Sequence, residues 1–188
     1  EEEVTYIFSE AFAVEGIGNA IMNRLIKAAG HQIIEAEEVT KLQKYRRILF
    51  VSNSDNCRGP MAAEILRNQL LLQEYEVDSR GMIVLFPEPA NQKEEAIMKS
   101  QQMTLESHEA TSFSEKDLDD DTLVLTLEEP YKWKIVSEYE NVKNVFTLNE
   151  YIEDDRQVLS THGQPLVVYG ENFELLKELI VKLAEKLN

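Results

Sequence analysis

The sequence predicts an α/β domain in which helices cover a parallel β-sheet. From Arg46 onward, short apolar runs alternate with longer amphipathic stretches, which is the pattern of strand–helix–strand units. An apolar run, Ile48–Ser52, passes through a polar loop directly into a helical pattern that opens with Gly59-Pro60. The last stretch, Asn172–Leu187, repeats apolar residues at helical spacing and is expected to close the fold.

Bulk composition limits the class of protein. The 188 residues suffice for one domain with a full core, or for one domain plus an appendage. The sequence has no apolar run as long as a membrane span and no export signal, and its single cysteine cannot form an internal disulfide, so we expect a cytoplasmic protein. The formal net charge of −16 opposes binding to nucleic acid or to anionic membranes.

Residues 1–45 form a separate N-terminal segment in this interpretation. Val4–Phe8 has the composition of a short strand, and Glu15–Ala29 places apolar residues on one stripe of a helix. The segment is too short to bury a core of its own, so we expect it to pack on the main domain, on a protein partner or on a second copy of the chain. A Gly-x-Gly sequence in the helix lacks the third glycine of a dinucleotide-binding loop, so no cofactor is implied.

Residues 46–188 supply the sheet and its helices. Four predicted strands share a short apolar composition: Ile48–Ser52, Val77–Ser79, Thr122–Leu127 and Asn144–Phe146. Five predicted helices occupy amphipathic or capped stretches: Pro60–Gln73, Asn91–Gln101, Ser114–Leu118, Glu129–Glu138 and Asn172–Leu187. Because helices alternate with the strands, the strands are expected to run parallel, with their carboxyl ends at one edge of the sheet.

The segment from Ile48 to Met61 carries the clearest functional signal. A buried strand that runs through a tight loop into a helix N-terminus gathers backbone N–H groups and the positive end of the helix dipole around one point. Arg58 adds a planar fork of donors, and Pro60 fits the first helical turn, where its missing N–H costs nothing. The sequence therefore predicts an anion-binding loop.

This loop resembles the phosphate-binding loop of the low-molecular-weight protein tyrosine phosphatases, which reads Cys, five residues, Arg and usually Ser-Pro. The chain keeps Cys57, Arg58 and Pro60, whereas Ser52 stands at the position of the nucleophilic cysteine. The resemblance implies that phosphate is held by the loop and its arginine: Ser52, Asn53, Ser54, Asp55, Asn56, Cys57 and Arg58.

The resemblance covers Arg46–Asn188. Several further passages are similar to the family in order and composition: Asp78–Gly81, Pro89–Asn91, Met103–His108 and Val145–Tyr151. It implies the family's fold, a four-stranded parallel sheet with helices on both faces, and a ligand site at the carboxyl ends of the strands.

The position of the family's general acid differs as well. The resemblance aligns the aspartate–proline pair of the acid loop with Ser160 and Thr161, and it places His162 where the family has an aromatic residue lining the site. Asp154 or Asp155 could replace the acid only if the loop moved. A serine nucleophile needs an adjacent base and a departing alkoxide needs an acid, and the loop supplies neither.

Three loop substitutions accompany these losses. Asp55 stands where the family has an asparagine, so its carboxylate is expected to hold the loop and to repel an anion. Gly59 replaces a serine that supports the thiolate at the edge of the site, and Ser54 replaces a glycine. Cys57 cannot be the nucleophile of a shifted motif, because Ala63 stands where that motif would need an arginine. It is therefore interpreted as a buried structural thiol. No His, Cys and carboxylate residues have zinc-ligand spacing, so no metal is implied.

Three functional hypotheses follow. The first is a pseudophosphatase, which binds phosphate or a phosphorylated side chain without normal turnover. The second is a slow or unusual phosphatase in which Ser52 or an activated water attacks a phosphomonoester. The third is a non-catalytic scaffold that has lost anion binding and docks a partner through residues 1–45.

Overall fold

The described part of the molecule is a parallel β-sheet covered by helices. A computed structural model describes residues 44–69, 75–140 and 142–187, so the strand and helix predicted in the N-terminal segment lie outside the described residues. The four strands are β1 (Arg47–Ser52), β2 (Glu76–Gly81), β3 (Thr122–Thr126) and β4 (Val145–Thr147). All pair in parallel in the spatial order β2-β1-β3-β4, which confirms the predicted fold class.

Five α-helices lie along the described residues: α1 (Arg58–Gln69), α2 (Gln92–Ser100), α3 (Glu129–Glu138), α4 (Leu148–Ile152) and α5 (Leu166–Leu187). Side chains of α1 and α5 pack on one face of the sheet, and Ile135 of α3 packs on the other. The predicted covering of both faces is therefore confirmed. Among these helices, none combines the length and apolar character that crossing a bilayer requires.

Strand β1 is buried on both of its faces. Residues 48–51 have no solvent exposure. Ile48 and Phe50 point into the cluster formed with α1 and α5, whereas Leu49 and Val51 point into the cluster that contains Ile135. Alternation with a period of two therefore divides one apolar run between two half-cores, as expected for a central strand of a parallel sheet. This burial fixes the position of the loop that follows Ser52.

Two helix predictions had wrong bounds. The last helix begins at Leu166 rather than at Asn172. Leu166 and Val167 in its first turn are exposed, so the apolar stripe that marks the rest of the helix does not extend over its start. Helix α1 begins at Arg58 rather than at Pro60, which brings the arginine into its first turn.

Two short elements also differ from the prediction. The predicted helix Ser114–Leu118 is a single 3-10 turn, Glu115–Asp117, with the expected capping box between Ser114 and Asp117. The Asp119 carboxylate accepts a hydrogen bond from the N–H of Asp121, a local turn that prevents further helix. Helix α4 was not predicted, because five residues are too few for a periodic signal.

Candidate anion-binding site

The loop Asn53–Cys57 leaves the carboxyl end of β1 at the switch point of the sheet, where the chain goes to β2 on one side and later to β3 on the other. The surrounding structure binds the outward-facing carbonyls of the loop. Met82 and Ile83 donate to the carbonyls of Ser52 and Asn53 at 2.9 and 2.8 Å, and Asn91 donates to that of Asn56 at 2.7 Å.

The backbone N–H groups of the same loop behave differently. In the described part of the chain, no N–H from Asn53 to Cys57 donates a hydrogen bond to a protein acceptor. A run of unpaired N–H groups at a helix N-terminus is the arrangement that binds phosphate in many folds. The anion-binding loop expected from the sequence stays a prediction, and the unpaired N–H groups are the observation that supports it.

A cavity of about 70 Å³ lies at the loop. Two segments about a hundred residues apart line it, the phosphate loop and the segment at the acid position. The lining residues are Ser52, Asn53, Ser54, Asn56, Cys57, Arg58, Ser160, Thr161 and His162. Of the residues proposed from the sequence, only Asp55 and Gly59 are missing from the lining.

Gly59 lies directly behind Ser52. A Cβ atom at position 59 would come within 2.9 Å of the Ser52 Oγ and 3.3 Å of the Asp55 Oδ1. Ser52 itself is 4% exposed, so its hydroxyl has little room to move. Gly59 therefore does not line the cavity. Its lack of a side chain leaves room for the hydroxyl of Ser52.

Asp55 is an internal anchor of the loop. It has no solvent exposure, its φ is +55°, and its Oδ2 accepts a hydrogen bond from the N–H of Thr111 at 2.9 Å. The Nε2 of His108 lies 2.5 Å from the Asp55 carbonyl oxygen. The carboxylate does not line the cavity, so the predicted repulsion of a bound anion would act from behind the loop.

The environment of Asp55 is costly for a charge. Burial raises the pKa of its carboxyl, whereas contacts with Ser79, Thr111 and His108 lower it and the nearby Asp78 raises it further. Although Ser79 is close enough to lower the pKa, Oδ1 makes no hydrogen bond of normal geometry within the described residues. The anchor thus holds the loop with one oxygen satisfied and the other unpaired.

Arg58 is held by internal contacts. Its side chain is nearly buried, Nη1 donates to the Val158 carbonyl oxygen at 2.8 Å, and Nη2 pairs with the Glu128 carboxylate. The guanidinium carries about five N–H donors, so others are left for a ligand. Arg58 also lines a wider groove of about 800 Å³ that extends to Trp133. The fork on a bound ion that we expected therefore has to compete with Glu128.

The segment that the family resemblance aligns with the acid loop carries hydroxyl groups. Ser160 and His162 are exposed at the cavity, and Thr161 is buried beside it. Asp154 is not a substitute acid, because Arg156 and Lys182 bind its carboxylate at 3.0 and 2.5 Å. These contacts hold the pKa of Asp154 far below its ordinary value, so it stays ionised.

Sequence reasoning missed one acidic residue of the site. Glu94, in the first turn of α2, is 1% exposed and accepts a hydrogen bond from the Thr161 hydroxyl at 3.4 Å. Burial raises its pKa to about 7, while Thr161, Arg58 and Cys57 lower it. The available signal was its helical spacing to Met98, a fully buried residue one turn later.

Cys57 has the character of an inert thiol. It is partly buried, and burial together with the charge of Glu94 raises the pKa of its thiol to about 12. A thiol that stays protonated at neutral pH is a poor nucleophile and a poor metal ligand. Within the described residues, no group of three or more His, Cys, Asp or Glu side chains could hold a metal ion.

Comparison with known proteins extends these observations. The family model for low molecular weight phosphotyrosine protein phosphatase matches residues 47–188, and the model for the C-terminal domain of threonylcarbamoyl-AMP synthase matches residues 1–30. A relative from Staphylococcus haemolyticus, the low molecular weight protein-tyrosine-phosphatase PtpB, is 30% identical over 137 residues, which are 73% of this chain and 96% of that protein.

Solved structures give the same result. The low molecular weight protein tyrosine phosphatase of T. tengcongensis superposes with a TM-score of 0.70 at 33% identity, over 74% of this chain and 98% of that one. A cysteine-to-serine mutant of the YwlE arginine phosphatase, with a phosphorylated active-site serine, superposes with a TM-score of 0.70 at 27% identity, over 75% and 95% of the two chains.

Proposed function

The chain belongs to the low molecular weight phosphotyrosine protein phosphatase family, and from that premise we propose that it is a pseudophosphatase. In this proposal it binds phosphate or a phosphorylated side chain at the loop Asn53–Cys57 and does not turn it over at a normal rate. The N-terminal segment keeps its predicted role as a contact for the main domain or a partner.

One observation carries the proposal. The cavity combines unpaired loop N–H groups and Arg58 with two hydroxyl-bearing residues, Ser52 and Ser160, at the positions of the nucleophile and the acid. The donors favour an anion, because hydrogen bonds to a charged group are worth about 1.5–3 kcal/mol each. A serine hydroxyl without a base is a weak nucleophile, and without an acid the leaving group departs as a high-energy anion.

The first test measures binding separately from turnover. Calorimetric titration with inorganic phosphate and with a phosphotyrosine peptide is expected to show saturable binding. Arg58→Lys keeps the charge but removes the planar fork, so we expect a loss of affinity of about 10- to 100-fold. Arg67→Lys is the matched control, because Arg67 donates to the Val77 carbonyl and does not line the cavity.

Each outcome assigns one of the three hypotheses. Binding that Arg58→Lys weakens and Arg67→Lys does not, together with background turnover of p-nitrophenyl phosphate, is the expected result. Absence of any anion binding by the folded protein would contradict the proposal and favour the scaffold. Steady turnover that Ser52→Ala abolishes would contradict it in favour of a slow phosphatase.

The slow phosphatase is the second candidate, and one comparison favours it. In the YwlE mutant named above, a serine that replaces the active-site cysteine carries a phosphoryl group. Ser52 has the same residue type at the nucleophile position, and His162 lines the cavity with it. Transfer would form a bond between the Ser52 Oγ and phosphorus, break the bond to the leaving group, and pass the hydroxyl proton to that group or to solvent.

Intact mass spectrometry tests this second candidate. After incubation with p-nitrophenyl phosphate, a gain of one phosphoryl group on the wild type, absent in Ser52→Ala, would show attack by Ser52. Ser137→Ala is the matched control, since Ser137 is an exposed residue of α3. A phosphorylated protein that accumulates and persists fits capture without turnover, whereas continued release of p-nitrophenol fits a slow phosphatase.

A further inference from the structure

Glu94 lies behind the wall of the anion cavity. It is 1% exposed and does not line the cavity, but Cys57 and Thr161, which contact it, both do. Its Oε1 accepts the long hydrogen bond from Thr161, and its Oε2 has no hydrogen-bond partner among the described residues. A buried carboxylate with an unsatisfied oxygen is costly, and neutralisation by a proton is the usual remedy.

No direct counter-ion compensates this carboxylate in the described part of the chain. Arg58 lowers the pKa of Glu94 through its charge, yet its guanidinium pairs with Glu128. Lys93, the residue before Glu94 in α2, does not pair with it. Its ammonium group donates to the Gln164 carbonyl at 2.6 Å and lies over the ring of Tyr169. A second negative charge placed in the cavity would therefore interact with Glu94 across a low-dielectric wall, where like charges repel strongly.

We propose that Glu94 couples anion binding to proton uptake: the cavity binds a dianion with full affinity only when this carboxyl is protonated. The inference rests on the proposed function, because it requires that the loop bind an anion. It makes Glu94 a specificity-determining residue, one that selects for ligand charge without touching the ligand.

Other titratable groups face the same region. Burial raises the pKa values of Cys57 and Tyr169, so both stay neutral between pH 6 and 8. His162 lines the cavity and is therefore the main competitor of Glu94 as a determinant of anion binding. Asp55, which has no solvent exposure, and His108, which is partly exposed, lie 3.7 Å apart and do not line the cavity. The test therefore has to separate these groups from Glu94.

The experiment is a calorimetric titration of the full chain with sulfate, which stays a dianion across the range, from about pH 6 to 8.5. Measurement in buffers of different ionisation enthalpy gives the number of protons taken up. Above about pH 7, the affinity of the wild type is expected to fall by up to tenfold per pH unit, with uptake approaching one proton. The affinity of Glu94→Gln for sulfate should not depend on pH, and its binding should take up no proton. At pH 8 this affinity should exceed that of the wild type.

Four further variants give the controls. Glu185→Gln removes the same formal charge from an exposed position near the far end of α5 and should keep the wild-type profile. His162→Gln and Asp55→Asn should keep the decline above pH 7. Thr161→Val retains the carboxyl but removes a hydrogen bond that lowers its pKa, so the decline should begin at higher pH. This last variant also tests the inference if Glu94→Gln does not fold.

The failures are distinguishable. Sulfate binding that is independent of pH in the wild type, or a decline that survives Glu94→Gln, would overturn the role of Glu94 and leave the proposed function intact. A decline that His162→Gln abolishes would overturn it as well. If the folded wild type and Glu94→Gln bind no sulfate at any pH, the proposed anion site itself fails.

Discussion

The two halves of the cavity differ in what they keep. The phosphate loop, Asn53–Cys57, has the carbonyls of Asn53 and Asn56 bonded by surrounding N–H groups, its own N–H groups without an acceptor among the described residues, and Asp55 as a buried anchor. The segment at the acid position, Asp154–His162, offers hydroxyls and an imidazole to the cavity, and its nearest aspartate is bound by two cations. Under the proposed function, the first half would bind the anion and the second would no longer supply a proton, so binding and proton transfer would be separable in this fold.

The largest expected effect comes from restoring chemistry to both halves. Ser52→Cys alone is expected to give weak turnover of phenyl phosphate, because a phenolate of pKa about 10 leaves poorly without an acid. Adding Ser160→Asp should raise kcat by about 100-fold or more, the usual contribution of a general acid. Steady-state rates with phenyl phosphate and p-nitrophenyl phosphate measure this, and the gain should be smaller for the better leaving group.

A matched double variant controls this comparison. Ser52→Cys combined with Ser137→Asp adds the same carboxyl at an exposed site of α3, so its rate should equal that of Ser52→Cys. If Ser52→Cys alone reached the full rate, the acid segment would still be functional and the contrast between the halves would be wrong.

The next effect concerns stability at the point where the two halves meet. The folded-state pKa of Glu94 is about 7, above its ordinary value of 4.5, so the stability linked to its protonation is present below about pH 4.5 and is lost as the pH rises toward 7. At one pKa unit per ~1.4 kcal/mol, the loss amounts to a few kcal/mol. Urea unfolding from pH 4.5 to 8 should show this decline in the wild type and a flatter profile in Glu94→Gln, and equal profiles would contradict the assignment.

A smaller effect tests how tightly the loop holds Ser52. Gly59→Ala places a Cβ 2.9 Å from the Ser52 Oγ, so we expect a loss of about 1–3 kcal/mol in unfolding free energy. In a Ser52→Ala background much of this loss should disappear, because the clashing atom is gone. Gly170→Ala is the control, since the nearest atom to its added Cβ is 3.8 Å away and alanine favours a helix. Equal losses in both backgrounds would show that the clash lies elsewhere.

The smallest effect is expected from Asp154→Asn. Its carboxylate is ionised and bound by Arg156 and Lys182, so it cannot donate a proton to a ligand in the cavity. Sulfate affinity and background turnover should equal those of the wild type, although the unfolding midpoint falls slightly. A drop in turnover would show that Asp154 is available as an acid after all.

Sequence reasoning was sound where a local pattern determines the structure. The buried run that forms β1, the polar loop and the helix that follows it are neighbours in the chain, and their order predicts the strand–loop–helix arrangement around the cavity. The family resemblance supplied the pairing of this loop with Ser160–His162, a contact between distant segments that no periodicity indicates.

The missed features depend on tertiary contacts. Two adjacent glutamates at the start of a helix are the usual surface pattern, because the dipole favours them there. Helical spacing to Met98 alone does not outweigh that pattern, and the tertiary packing shows that Glu94 is buried while the Glu95 carboxylate accepts a hydrogen bond from the N–H of Leu105. The pairing of Arg58 with Glu128 likewise joins the start of α1 to the loop that follows β3. It depends on the rotamer of the arginine side chain. Long-range side-chain contacts of this kind leave no signature in the order of residues.

The double attachment of Arg58 affects how affinity measurements on this protein are interpreted. A ligand that binds both Nη groups of Arg58 competes for these donors with the Glu128 carboxylate and with the carbonyl of Val158. The observed dissociation constant is then a net value, the strength of the ligand's own contacts minus that of the contacts given up. A free ion would then bind weakly, because its contacts with Arg58 replace existing ones. A larger phosphorylated ligand that also donates a hydrogen bond to Glu128 would bind more tightly, because the carboxylate would keep a partner.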